Sequence, residues 1–181
     1  MAYGTKYQGS KTMRTMYKVF EQNLIHFVTS TVINRLQIFN DGEIANILLE
    51  EFRFRIKNND LNVYAFVIMP DHFHAILECD NLSGMMRNIK SFSGKKILEH
   101  IRNSENTFFL ERFMVNDSKY QVWQNDYHPQ LIFNDEMFRQ KVEYIHNNPI
   151  KAGLVENQVD WKLSSAGFYS GNDKILEISV M

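Results

Sequence analysis

The chain has 181 residues, 44% of them hydrophobic, 23% charged and 13% aromatic, with a formal net charge of −1. That composition excludes a disordered, fibrous or membrane-embedded chain, and the length suffices to bury roughly 70% of the unfolded surface in one domain without a covalent staple. The lone cysteine, Cys79, excludes an internal disulfide framework and a cysteine-rich zinc site, and the balanced charge leaves any nucleic-acid contact to a local basic face.

No segment approaches the about 18 consecutive apolar residues of a membrane span, so a reducing, cytoplasmic setting is expected, nucleoid-associated if the partner is DNA. Residues 1–24 read as a polar arm carrying Lys6, Lys11, Arg14 and Lys18, and residues 167–181 as a C-terminal tail. The β-branched run from His26 to Ile33 predicts a first strand. Asn40-Asp41 offers an N-cap for a helix in which Ile44, Ile47, Leu48, Phe52 and Ile56 recur at helical spacing, closed by Asn58-Asn59-Asp60.

Leu61 to Glu78 then holds two apolar runs on either side of Pro70-Asp71, the pattern of two buried strands joined by a tight turn. A second helix is predicted over Leu82 to Arg102, with Ser91, Ser93 and Gly94 as a place where it could break, and Thr107 to Phe113 carries no clear pattern. Gln121 to Gln124 and Leu131 to Phe133 read as fragments of one more strand, interrupted at Tyr127-His128-Pro129. Asn134 caps a last helix with acid in its first turn, predicted to end at or just before Asn148 because Pro149 follows. Trp161 to Ala166 would lie over the domain as a cover. The order β-α-β-β-α-β-α suits an α+β, ferredoxin-like sandwich: an antiparallel sheet of about four to five strands with helices mainly on one face.

His72 and His74 fall two apart on the predicted third strand. Side chains alternate faces along a strand, so both imidazoles point one way and Phe73 the other. A divalent ion could bridge them, but two ligands seldom suffice. The last helix offers Tyr144 and Asn148, four apart and so on one face. A tyrosine hydroxyl is only about 0.1% ionised at neutral pH, and as a nucleophile it needs a polarised target. A metal held by two histidines and an amide would supply that polarisation. Taken singly, each of these residues also has a structural reading: His-x-His as an ordinary strand pair, Tyr144 as a packing residue, Asn148 as a helix-end residue before proline.

The segments Val67 to His74, Val122-Trp123-Gln124, Tyr144 to Val155 and Trp161 to Ala166 together resemble the single-tyrosine HUH transposases, both the small insertion-sequence enzymes and the REP-associated tyrosine transposases. The resemblance spans residues 25–166 and implies one catalytic domain there. It implies that His72 and His74 are metal ligands, Tyr144 the nucleophile and Asn148 a polar third ligand, the asparagine leaning toward the REP-associated branch. It further implies Mg²⁺ or Mn²⁺, and nicking and rejoining of single-stranded, hairpin-bearing DNA through a 5′-phosphotyrosine.

Arg87, Lys90, Lys95 and Lys96 on the second helix are the natural place for a DNA backbone, though a merely solvated face would look the same. Trp123 and Tyr127 offer stacking surfaces for unpaired bases, a buried tryptophan being the alternative. His26, His100, His128 and His146 read as structural or surface residues, His128 being a secondary candidate near the site. The family contains homodimers with a shared site and monomers, and both remain open. Two other functions also remain open: a DNA-binding module of the same fold without activity, and a hydrolase using metal-bound water.

Overall fold

The computed structural model describes residues 24–104, 107–116, 119–125, 127, 129–172 and 175–180. Residues 1–23 of the arm, His128 and Met181 lie outside them, and Leu24 belongs to the first strand. The order is β1 (Leu24–Thr31), α1 (Gly42–Lys57), β2 (Asn62–Met69), β3 (His72–Cys79), α2 (Leu82–Asn103), α3 (Thr107–Phe113), β4 (Met114–Asn116), β5 (Lys119–Tyr120), β6 (Gln130–Leu131), α4 (Asp135–Lys151) and α5 (Ala166–Tyr169), with short 3₁₀ turns between. β2-β3-β1-β6 form one antiparallel sheet, and β4-β5 a separate ribbon.

Alternation along the central strands divides the core in two. Val28, Val63, Phe66, Ile68, Phe73, Ala75 and Leu77 face α1 and α2, which bring Leu48, Phe52, Met86, Ile89 and Ile97. Phe27, Ala65, Val67, Met69 and Ile76 face the other way and meet Ile145 and Val142 of α4. Both faces are therefore covered, two long helices on one and α4 on the other. β2 is buried on both sides, which is why it reads as a nearly unbroken apolar run instead of alternating.

The caps at Asp41, which accepts from Glu43 N and Ile44 N, and at Asn134, which accepts from Met137 N, stand where the sequence places them. Three expectations need correction. α2 does not break: it runs unbroken past Gly94, because Ser93 and Gly94 are where Trp123 docks, its indole N–H donating to Ser93 Oγ at 3.0 Å. α4 does not stop before Asn148 but continues to Lys151 with Pro149 buried inside it. Its end comes from Gly153, at φ +70°, with Leu154 N bonded to Pro149 O and Gly153 N to Ile150 O. The two fragments do not make one strand. Trp123 forms only an isolated bridge with Val32, while Gln130–Leu131 pairs with β1 at the sheet edge.

The opposite edge, β2, is covered by the Trp161 to Ala166 segment. Trp161 Nε1 donates to Ile68 O, Ile68 N to Leu163 O, and Ser165 N to Phe66 O. An edge strand shielded in this way cannot recruit a foreign strand.

Candidate active site

The β1–β3 register places Thr31 opposite His72 and Thr29 opposite His74, and β2 lays Met69 and Val67 on their other side. Both imidazoles project from the α4 face while Phe73 enters the other core, as alternation requires. Each ring is oriented by its Nδ1. His72 Nδ1 donates to Asp71 Oδ1 at 2.5 Å, and a carboxylate can only accept, so the proton is fixed on that nitrogen. Asp71 is itself held by Arg35 at 3.2 Å. His74 Nδ1 lies 2.7 Å from Thr29 Oγ1, whose hydroxyl can serve as donor or acceptor.

The two Nε2 atoms consequently face each other 3.2 Å apart. Two lone pairs at that distance repel unless a proton or a cation lies between them. Two nitrogens bound cis to one ion, each at about 2.1 Å, stand about 3 Å apart, a separation close to that of this donor pair. Burial, reinforced by the nearby His72 and Lys141 and opposed by Asp71, pushes the His74 pKa down to about 3. It is therefore neutral at physiological pH, the state a metal ligand must have. Among the described residues no third His, Cys, Asp or Glu joins the pair. Among the described residues, a further donor is therefore an amide, hydroxyl or carbonyl oxygen.

α4 brings Tyr144 to this pair. Its ring stands edge-on to His74 at 5.3 Å between centroids and edge-on to Phe27 at 5.7 Å, while Phe27 stacks on His74 at 5.3 Å. The tyrosine remains 39% exposed and so open to a large substrate. Asn148, one turn further along α4, is half-buried and makes no side-chain hydrogen bond among the described residues. Lys141 and Lys151 flank the same ring, with Nζ 5.9 and 5.4 Å from its centroid.

The four basic residues of α2 lie on the opposite face of the sheet. Arg87, Lys90 and Lys95 line a groove of about 780 Å³ with Arg102, Lys119 and the Tyr120–Asn125 segment. Lys90 donates to the carbonyls of Gln124 and Asn125, and Lys96 pairs with Glu99 at 3.2 Å outside that groove. Trp123 is 4% exposed, packed between Phe39 and Phe73, so it supports the groove and offers no face to a base. Tyr127 is half-buried with its hydroxyl 3.2 Å from Ser83 Oγ.

Sequence reasoning missed Thr29, Lys141, Lys151, Arg102 and Lys119. The first needs the β1–β3 register; Lys141 could have been found from its position three residues before Tyr144 on a helix.

A Haemophilus influenzae protein described as a REP-associated tyrosine transposase is 27% identical over 153 residues, covering 81% of each chain. An Escherichia coli K12 REP-associated tyrosine transposase is 26% identical over 113 residues, 60% of this chain and 56% of that one. Among solved structures, a REP-associated tyrosine transposase bound to a REP hairpin superposes with a TM-score of 0.60 at 20% identity, covering 99% of this chain and 93% of that one, and shares the fold. Residues 19–148 match the family of IS200-like transposases, and with well over half of its length so matched, the chain belongs to that family of DNA-transposing enzymes.

Proposed function

We propose that this transposase cleaves and rejoins single-stranded, hairpin-bearing DNA through a covalent 5′-phosphotyrosine on Tyr144. The observation that carries the reading is the position of the Tyr144 ring against His74, beside two Nε2 atoms 3.2 Å apart. Tyr144 Oη forms a bond to phosphorus as the P–O3′ bond breaks. The phenolic proton passes to solvent, and the departing 3′ oxygen takes up a proton. One phosphodiester is thus exchanged for another without an oxidant or an energy source, and reversal by a 3′-OH rejoins ends.

Mg²⁺ or Mn²⁺, held by His72, His74 and the amide oxygen of Asn148, would supply positive charge at a non-bridging phosphoryl oxygen, worth several kcal/mol. Asp71 and Thr29 keep the two rings aimed, and Phe27 keeps water from the back of His74. On the far face Arg87 and Lys95, with Lys90 and Lys96 beside them, would receive the hairpin backbone. Phosphate contacts need only a local concentration of cations.

The test is incubation with single-stranded hairpin DNA and Mn²⁺, followed by denaturing electrophoresis. A detergent-stable protein–DNA adduct is expected from the wild type, none from Tyr144→Phe, and none after EDTA. An equal yield from Tyr144→Phe sinks the mechanism. DNA binding without any adduct would point instead to an inactive binding protein of the same fold, and cleavage without an adduct to a hydrolase using water.

A further inference from the structure

We propose that Lys141 and Lys151 are the phosphate-gripping pair of this site. Lys141 holds the phosphodiester under attack, and Lys151 holds a neighbouring phosphate of the same single strand. The inference rests on Tyr144 being the nucleophile and adds the residues that bring the strand to it.

The two lysines are ten positions apart on α4, about 15 Å of helix rise, yet both ammonium groups close on one ring. Helical side chains lean toward the N-terminus, which carries Lys151 back over the preceding turns to 5.4 Å from the Tyr144 centroid. Lys141 spans Phe27, at 4.6 Å, and Tyr144, at 5.9 Å, so its charge lies on the side of the tyrosine where Phe27 stacks against His74. Among the described residues neither ammonium is paired with a carboxylate, whereas Arg35, Arg53, Arg55 and Lys96 all are. Two uncompensated cations on aromatic faces beside an open hydroxyl form a site for an anion.

A phosphodiester carries one negative charge. In the transition state of an in-line displacement the equatorial oxygens bear more of it, and a fixed ammonium within reach is worth more there than in the ground state. The positions separate the roles. Lys141, on the histidine side of the ring, is placed for the phosphorus under attack, and its contribution falls on the chemical step. Lys151, exposed and nearer the helix C-terminus, is placed for the strand beyond it, and its contribution falls on binding.

The experiment uses the full chain and the variants Lys141→Gln, Lys151→Gln and the corresponding arginines. Affinity for a fluorescent oligothymidylate is measured against salt concentration, and the rate of adduct formation is measured on saturating hairpin DNA. Removing one phosphate contact should flatten the slope of log K against log salt by about 0.7 for a single strand. That flattening is expected for each glutamine variant. Lys141→Gln should also slow adduct formation by about 10²-fold or more at saturation, and Lys151→Gln should weaken binding by a larger factor than it slows that step.

The arginine variants should restore the slope, which loss of packing alone would not allow. Slopes and saturated rates equal to wild type in both glutamine variants overturn the proposal. A wild type that forms no adduct defeats the reading of Tyr144 instead, and the salt slopes then still decide whether these lysines hold a strand.

Discussion

At the scale of single residues the site depends on two hydrogen bonds that hold rings and touch no substrate. Thr29 Oγ1 lies 2.7 Å from His74 Nδ1, and the Asp71 carboxylate accepts from His72. A ligand whose outer nitrogen is tied cannot rotate or exchange tautomers, and removing such a partner generally weakens metal binding 10–100-fold. Thr29→Val preserves size and strand propensity but deletes the hydroxyl, so Mn²⁺ affinity measured by titration calorimetry should fall within that range while far-ultraviolet circular dichroism stays unchanged. An affinity within twofold of wild type would mean that packing against Phe27 alone orients His74. That His72 and His74 share one strand face, and Tyr144 and Asn148 one helix face, was legible in the sequence, because two short-range periodicities, two in a strand and four in a helix, fix which side chains point the same way. Thr29 was not. Its role exists only once β1 pairs with β3 in a register joining positions 45 apart, and nothing local encodes that register.

At the scale of elements the sequence was misleading wherever a residue that disfavours helix was kept for a tertiary reason. Pro149 withholds one amide from α4, yet it is buried, and the chain turns only where Gly153 takes up a left-handed conformation. Asn148 therefore sits inside the helix, one full turn from Tyr144, instead of at a frayed end. Gly94 is the other instance: buried, mid-helix, and beneath the Trp123 indole. Its conformation is ordinary helix, and a Cβ built there would stand 3.6 Å from Trp123 Cδ1, 3.8 Å from Val122 Cβ and 3.9 Å from Trp123 Nε1, all comfortable contacts. Alanine is favoured over glycine in a helix interior by about 0.5–1 kcal/mol. Gly94→Ala should accordingly stabilise the protein and raise Tm by roughly 1–4 °C for a chain of this size. A lower Tm would show that the Trp123 indole packs closer to the helix than these separations imply. Ser93→Ala, by contrast, should destabilise, because the indole N–H would lose its buried acceptor.

At the scale of the whole molecule, α4 is held to the sheet by a second buried histidine, and this makes the fold sensitive to acid. His146 Nε2 meets Ser165 Oγ at 2.8 Å, and Ser165 accepts from Phe66 N, so the helix, the covering segment and the β2 edge are tied at one point. Burial pushes the His146 pKa down to about 4, and His74, on the same helix-facing side of the sheet, is pushed down to about 3. A group whose folded pKa lies below its unfolded value binds fewer protons in the native state. The stabilisation is complete above the unfolded value near 6.5 and is lost as pH falls from there toward the folded value. Each histidine then removes stability with a slope approaching 1.4 kcal/mol per pH unit. Glu51 acts in the opposite sense: burial, partly offset by Arg55, raises its pKa, so it recovers stability as it protonates. The clearest window is therefore pH 6.5 to 5, above the ordinary range of a carboxylate. With chelator present, so that no ion bridges His72 and His74, urea unfolding at pH 5 should give a stability lower than at pH 7 by about 2 kcal/mol per histidine, on the order of 4 kcal/mol in all. Added Mn²⁺ at pH 7 should raise the midpoint, and at pH 5 it should raise it less, because protons then compete for the same nitrogens. A midpoint that is flat between pH 7 and 5 without metal would mean that neither histidine is held neutral, and the α4 face of the sheet would then be wetter than its packing implies.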